Sequence, residues 1–186
     1  MKIGKILIYI YFNMENTKHK LTEYQKNFFN KLSIYLDTKL YFFGSIQRYD
    51  YFPGLSDIDV DIFAENEKSI IAKISNFLNI NKNDIKKVIW KLNSTGEIVN
   101  GYKLMYKDLI NNLIVEFSIY NEKLKKDIIN EHNSKIDIPF YATFFLVILK
   151  ILFYKLHIIP DEWYIQGKKF ILSPLIGKPY DNFVRL

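Results

Sequence analysis

A chain of 186 residues with fifteen Phe and fourteen Tyr is long enough for one domain with a substantial core, or for one domain with a small helical appendage. It contains no cysteine, which excludes a disulfide framework, a thiolate metal site and a thiol nucleophile, and fits a reducing compartment, so a cytoplasmic location is the expectation. The formal net charge of +6 is spread along the chain; it favours polyanionic partners such as nucleic acid or nucleotide phosphates, with a merely Lys- and Asn-rich composition as the plain alternative.

The opening Lys5–Phe12 run is apolar enough for a strand, no small-residue cleavage site follows it, and Met14 is an alternative start. Residues 21–37 read as a helix, with Thr22 as N-cap and Gln25 completing a capping box. Leu40–Phe43 is a core strand that ends in Gly44-Ser45, and a short helix is expected after it. A glycine at such a turn lets the backbone approach an anion, with its N–H groups pointing at the charge. Pro53-Gly54 marks a further turn, and Ile58–Ala64 is the second strand. Strand alternation puts Asp57 and Asp59 on one face, with Asp61 further along it, and Ile58 and Val60 on the other. Carboxylates within apolar sequence are costly to bury without a cation, and a hard divalent ion such as Mg²⁺ suits them.

Ser69–Leu78 reads as a helix, Val88–Leu92 as a strand, Ser94-Thr95-Gly96 as a turn and Tyr102–Tyr106 as the hairpin partner. Leu113–Tyr120 is another strand, and Glu116 is a lone carboxylate in its apolar run. Residues 122–132 read as an exposed helix with Lys123, Lys125, Lys126 and Glu131. Phe140–Ile159 is long and apolar enough to raise a membrane span, but Lys150 and Lys155 lie inside it. A buried helix opened by Pro139 and running to about His157 is the expectation. A short helix or turn with Trp163 and Tyr164, a Gly167-Lys168-Lys169-Phe170 turn and a loop-like tail with Pro174 and Pro179 complete the chain. Trp163 and Tyr164 are read as core or interface aromatics, with base stacking as the alternative. His19, His132 and His157 show no ligand spacing and are read as surface or structural.

The residues Phe43, Gly44 and Ser45, followed by Ser56, Asp57, Ile58, Asp59 and Val60, resemble the signature of the polymerase-beta-like nucleotidyltransferase superfamily, in its small, minimal-type form. That signature is an apolar residue, Gly-Ser, roughly ten residues, then Asp-x-Asp between apolar residues. The resemblance covers about residues 25–120 with usable motifs. It implies an α+β fold in which a small mixed β-sheet, the palm-like core of 15–120, is flanked by helices, with a C-terminal helical segment, 121–186, packed on it.

It further implies a metal-dependent transfer of NMP from an NTP, with ATP the expected nucleotide, to a hydroxyl acceptor. Asp57, Asp59 and Glu116 would be the catalytic carboxylates and the ligands of two Mg²⁺ or Mn²⁺ ions, with Glu116 or Asp59 taking the proton. Gly44 and Ser45 would hold the β- and γ-phosphates. Arg48 is assigned to the triphosphate or to solvent, and Lys150 to the γ-phosphate or to snorkelling. Asp61 either supports the metal site or pairs with a lysine. The acceptor stands open among an RNA 3′ end, a protein and a small molecule, and a protein partner or homo-oligomer is compatible with each. The alternatives are a non-catalytic binding module or polymerase subunit on the same fold and, last, a membrane-attached protein using 140–159.

Overall fold

The computed structural model describes residues 15–176 and 184–185. The expectations for the opening strand, Met14 and Pro179 lie outside the described residues. Helix α1 (Glu23–Leu36) leads into β1 (Leu40–Phe43), and a single 3₁₀ turn (Gly44–Gln47) and a loop connect it to β2 (Ile58–Ala64). Helix α2 (Glu67–Leu78), β3 (Lys86–Lys91), β4 (Ile98–Asp108) and β5 (Leu113–Asn121) follow, then α3 (Lys125–Asn133), α4 (Phe140–Lys150), α5 (Asp161–Ile176) and the short β6 (Val184–Arg185).

The α1 start is the expected capping box: Gln25 N–H donates to Thr22 Oγ1 at 3.2 Å, and Thr22 N–H donates to Gln25 Oε1 at 3.0 Å. Helix α2 begins two residues before the expected Ser69, because Asn66 caps it through Ser69 N–H.

The sheet order is β1-β2-β5-β4-β3-β6. β2 and β5 run parallel, while β1–β2, β5–β4, β4–β3 and β3–β6 are antiparallel, so the α+β, mixed-sheet expectation holds. The two faces of the sheet differ in kind. On one, Leu40, Phe42, Val60, Ile62, Phe117 and Ile119 meet Phe29, Leu32 and Leu36 of α1 and Ile70 and Ile74 of α2 in one buried cluster. On the other, Phe63, Trp90, Tyr120 and Ile128 of α3 form a smaller cluster. Beside it in register run Asp59 and Asp61 of β2 and Glu116 and Ser118 of β5. Gly101 of β4 lies opposite Tyr120, and a Cβ there would fall 2.4 Å from the Tyr120 ring, so glycine is what lets that ring lie against the neighbouring strand.

Several expectations after residue 121 are corrected. Glu131 is buried rather than exposed: it accepts from Ser94 N–H at 3.0 Å and pairs with Lys135 at 2.9 Å, tying α3 to the β3–β4 turn. The apolar α4 buries Ala142, Leu146 and Lys150, but it exposes Phe140, Tyr141, Phe144 and Phe145. After α4 the chain widens into a π-helical turn (Ile151–Lys155). The segment from Gly167 to Phe170 is no turn but lies within α5, which also contains Pro174. No helix among the described residues is long and apolar enough to cross a membrane.

Candidate active site

The Gly44-Ser45 turn and the acidic end of β2 are brought together by the β1–β2 ladder, in which Phe43 lies opposite Asp59. Gly44 adopts φ +70°, a left-handed conformation that L side chains avoid. A Cβ on Gly44 would sit 1.9 Å from Asp59 Oδ2, so the Asp59 carboxylate lies against the bare backbone of the turn. Ser45 is buried, and its hydroxyl has no hydrogen-bond partner. A buried polar group left in this state is costly unless something arrives to bond it. Glycine geometry and an orphaned hydroxyl together make the turn fit an oxygen-rich anion.

Asp59 stands opposite Glu116 in the parallel β2–β5 ladder, so both side chains leave the same sheet face. Partial burial pushes the Asp59 carboxyl well above the usual carboxylate range, and the negative charges of Asp57 and Glu116 push it further. Lys103 and Lys168 act in the other direction but do not prevail. Glu116 is held by the ammonium of Lys103, from β4. The three carboxylates therefore share one field, yet among the described residues no three His, Cys, Asp or Glu side chains are gathered closely enough to hold a metal ion as they stand. The donor set is all carboxylate oxygen, which is the chemistry Mg²⁺ and Mn²⁺ prefer.

Asp61 continues the row as expected, but its partner is not a lysine. His132 of α3 approaches Asp61 Oδ2 at 3.0 Å and stacks on Phe43, ring centroids 4.1 Å apart. Asp61 Oδ1 has no hydrogen-bond partner. His132 is thus structural, as read, but at the edge of the site rather than remote from it.

Arg48 and Lys150 are neither solvated nor snorkelling, which corrects those readings. Both converge on Asp50, which is 0% exposed. Arg48 Nε donates to Asp50 Oδ1 at 2.8 Å, and Lys150 Nζ lies 3.1 Å from Asp50 Oδ2. Lys150 Nζ also donates to the Asp50 carbonyl at 2.6 Å and to Ser56 Oγ at 3.2 Å, and Ser56 Oγ accepts from Phe52 N–H at 3.2 Å. Burial alone would raise the Asp50 pKa, but the Arg48 hydrogen bond and the charges of Arg48 and Lys150 outweigh it and hold the carboxyl low. Burial pulls the Lys150 ammonium down despite Asp50. This cluster pins α4 to the loop that delivers Asp57, one residue beyond Ser56.

Two features were not read from the sequence. Lys103 and Lys168 reach the acidic face because of tertiary placement. Tyr51, Tyr154 and Tyr164 all feel the charge of Asp57; burial, then Asp57, pushes the Tyr51 phenol up to about 12. Tyr164 stacks on Phe153 at 4.2 Å, as a packed aromatic, whereas Trp163 is exposed. The charge of Lys103 was visible in its strand, but nothing local revealed that it would lie beside Glu116.

Comparison with known proteins yields one match. The family model described as nucleotidyltransferase domain matches residues 23–138, a span that contains the turn, all three carboxylates and α3. No curated protein and no solved structure matches the chain.

Proposed function

The chain belongs to the nucleotidyltransferase family, and on that premise we propose that it moves NMP from an NTP, ATP first, to a hydroxyl acceptor with the help of divalent metal. The observation that carries this reading is the seating of the Asp59 carboxylate against the left-handed Gly44 turn, beside Asp57 and Glu116. A left-handed glycine turn next to a buried hydroxyl that has no hydrogen-bond partner suits the β- and γ-phosphates, and an adjacent acidic face suits the ions that accompany them.

Asp57, Asp59 and Glu116 are the residues that would hold Mg²⁺ or Mn²⁺. When bound, such ions supply charge neutralisation at the phosphates and acidify the attacking hydroxyl. The acceptor oxygen bonds to the α-phosphorus, the bond from that phosphorus to the bridging oxygen breaks, and pyrophosphate leaves with its electron pair. The hydroxyl proton passes to a carboxylate of the face, Asp59 or Glu116. Gly44 and Ser45 orient the leaving group. Arg48 and Lys150 act one step back, by fixing the loop that carries Asp57 through Asp50 and Ser56. An RNA 3′ end is the acceptor to test first, because the chain carries a formal net charge of +6. A protein or small-molecule hydroxyl is the next to offer.

A non-catalytic module on the same fold is the second reading, and the engagement of Glu116 by Lys103 is what favours it. One experiment separates the two. Purified chain is incubated with α-phosphate-labelled NTPs and Mg²⁺ or Mn²⁺, with an RNA pool, a cell lysate or no acceptor. Label on one acceptor class, lost in the Asp57→Ala/Asp59→Ala variant and on chelation of the metal, supports the enzyme. No transfer together with no metal-dependent NTP binding supports the module.

A further inference from the structure

Lys103 occupies a position of unusual charge. In the β4–β5 ladder it lies opposite Ser118, and Met105 lies opposite Glu116. Paired residues share a face, so Lys103 leaves the sheet on the side of Glu116 and reaches it diagonally across the ladder. Its charge is felt by Asp59 and Asp61 as well as Glu116. Both members of the pair have side chains 24% exposed, so the pair is partly desolvated yet open to ions.

A surface pair in this position would contribute little to stability. Here the ammonium sits instead on the acidic face, where Asp59 is already under the repulsion of two carboxylates. An ammonium on Glu116 takes up the lone pairs that a metal ion would need there, and its positive charge opposes the arrival of another cation. Asp57 and Asp59 carry no comparable ion pair among the described residues.

Resting on the metal-dependent reading above, we propose that Lys103 is the resident cation of the Glu116 position. The free protein takes one divalent ion, at Asp57 and Asp59, and a second is kept from Glu116 for as long as Lys103 holds it. Loading of the third carboxylate is then tied to a movement of Lys103, and the acidic face stays charge-balanced while the protein waits for substrate.

The test is a titration of the full chain with Mn²⁺ and no nucleotide, followed by the paramagnetic resonance of free Mn²⁺, on variants first shown to be folded by thermal melting. The wild type is expected to bind one ion per chain, and Asp59→Asn to lose it. Lys103→Met is expected to bind two, and Glu116→Gln added to it to return the count to one. Lys103→Arg keeps the charge and keeps the count at one. Lys103→Gln serves as a second charge-removing variant with the same expected count of two, should the Met variant not fold. Two ions on the wild type, or a charge-removing variant with the wild-type count and affinity, overturns the role of Lys103. If the wild type still binds Mn²⁺ through Asp59 in that case, the metal-dependent reading stands. No Asp59-dependent Mn²⁺ binding in any protein overturns both together.

Discussion

Asp50 lies in the loop that leads into β2 and Asp59 in the strand just after it, and both are drawn away from water, yet their electrostatic surroundings are opposite. Asp50 has two cations on it, Arg48 and Lys150, and further bonds from Lys150 to its own carbonyl and to Ser56 complete the cluster. Asp59 has two further carboxylates acting on it, and Lys103, whose charge it also feels, is ion-paired with Glu116. The Asp50 carboxyl is held low, and the Asp59 carboxyl is held high. A buried charge that is matched on all sides is a brace, because removing any partner leaves another uncompensated. A partly buried charge that is under-matched destabilises the free fold, and it is retained where a ligand of opposite charge is to bind.

That contrast is sharpest in a substitution at the brace. Asp50→Ala leaves Arg48 and Lys150 facing each other in a buried space, and it is expected to lower unfolding free energy by about 3–5 kcal/mol, measured by urea denaturation. The same carboxyl sets an acid limit. Its folded pKa lies below the ordinary 3.8, so its contribution is complete above that value and is lost as pH falls through the lower folded pKa. Stability of the wild type is therefore expected to fall below pH 3.8, and Asp50→Ala to have lost this part of the acid dependence. An unchanged denaturation midpoint in Asp50→Ala breaks the description of that cluster as a brace.

Next in size is Gly44→Ala. The added Cβ meets the Asp59 carboxylate, and the left-handed backbone is strained by about 1–2 kcal/mol. Label transfer is expected to drop by roughly two orders of magnitude, the size seen when a positioned group is displaced by about an ångström. Transfer by Gly44→Ala at the wild-type rate separates the turn from the chemistry.

The smallest expected effect has the opposite sign. Asp59→Asn is expected to abolish transfer, but it removes a charge that burial and two neighbouring carboxylates disfavour. Because the folded pKa is raised above the ordinary 3.8, the contribution of this group to stability is largest below that value and is lost as pH rises towards and through the folded pKa. The variant is expected to melt about 2–4 °C above the metal-free wild type, the scale of roughly 1 kcal/mol in a chain of this length. A lower melting temperature shows that Asp59 holds the fold together as Asp50 does, and the comparison collapses.

Local pattern carried much of this fold. Thr22 and Gln25 announced the start of α1, Leu40–Phe43 and Ile58–Ala64 matched β1 and β2 in extent, and the Gly-Ser turn between them was placed correctly. These features are written in short-range periodicity and turn chemistry, which the chain expresses wherever it is packed. The helical end was read less well. Gly167 and Pro174 look like breaks in a sequence, but both lie within α5; Gly167 packs closely on Leu149 of α4, where a Cβ would come 2.9 Å from its side chain. Here packing overrides local propensity.

What the sequence determined by itself is the acidic strand, its facing pattern and the turn before it, because alternation and a positive-φ glycine need only neighbours. It also displayed each of the charged residues that matter, without saying which would meet. Tertiary structure alone decided that Lys150 would reach back a hundred residues to Asp50, that His132 would settle on Asp61 and that Lys103 would take Glu116. Each of these pairings depends on strand register or helix docking across the sheet. Electrostatic energy depends on distance in space, and distance along the chain does not report it.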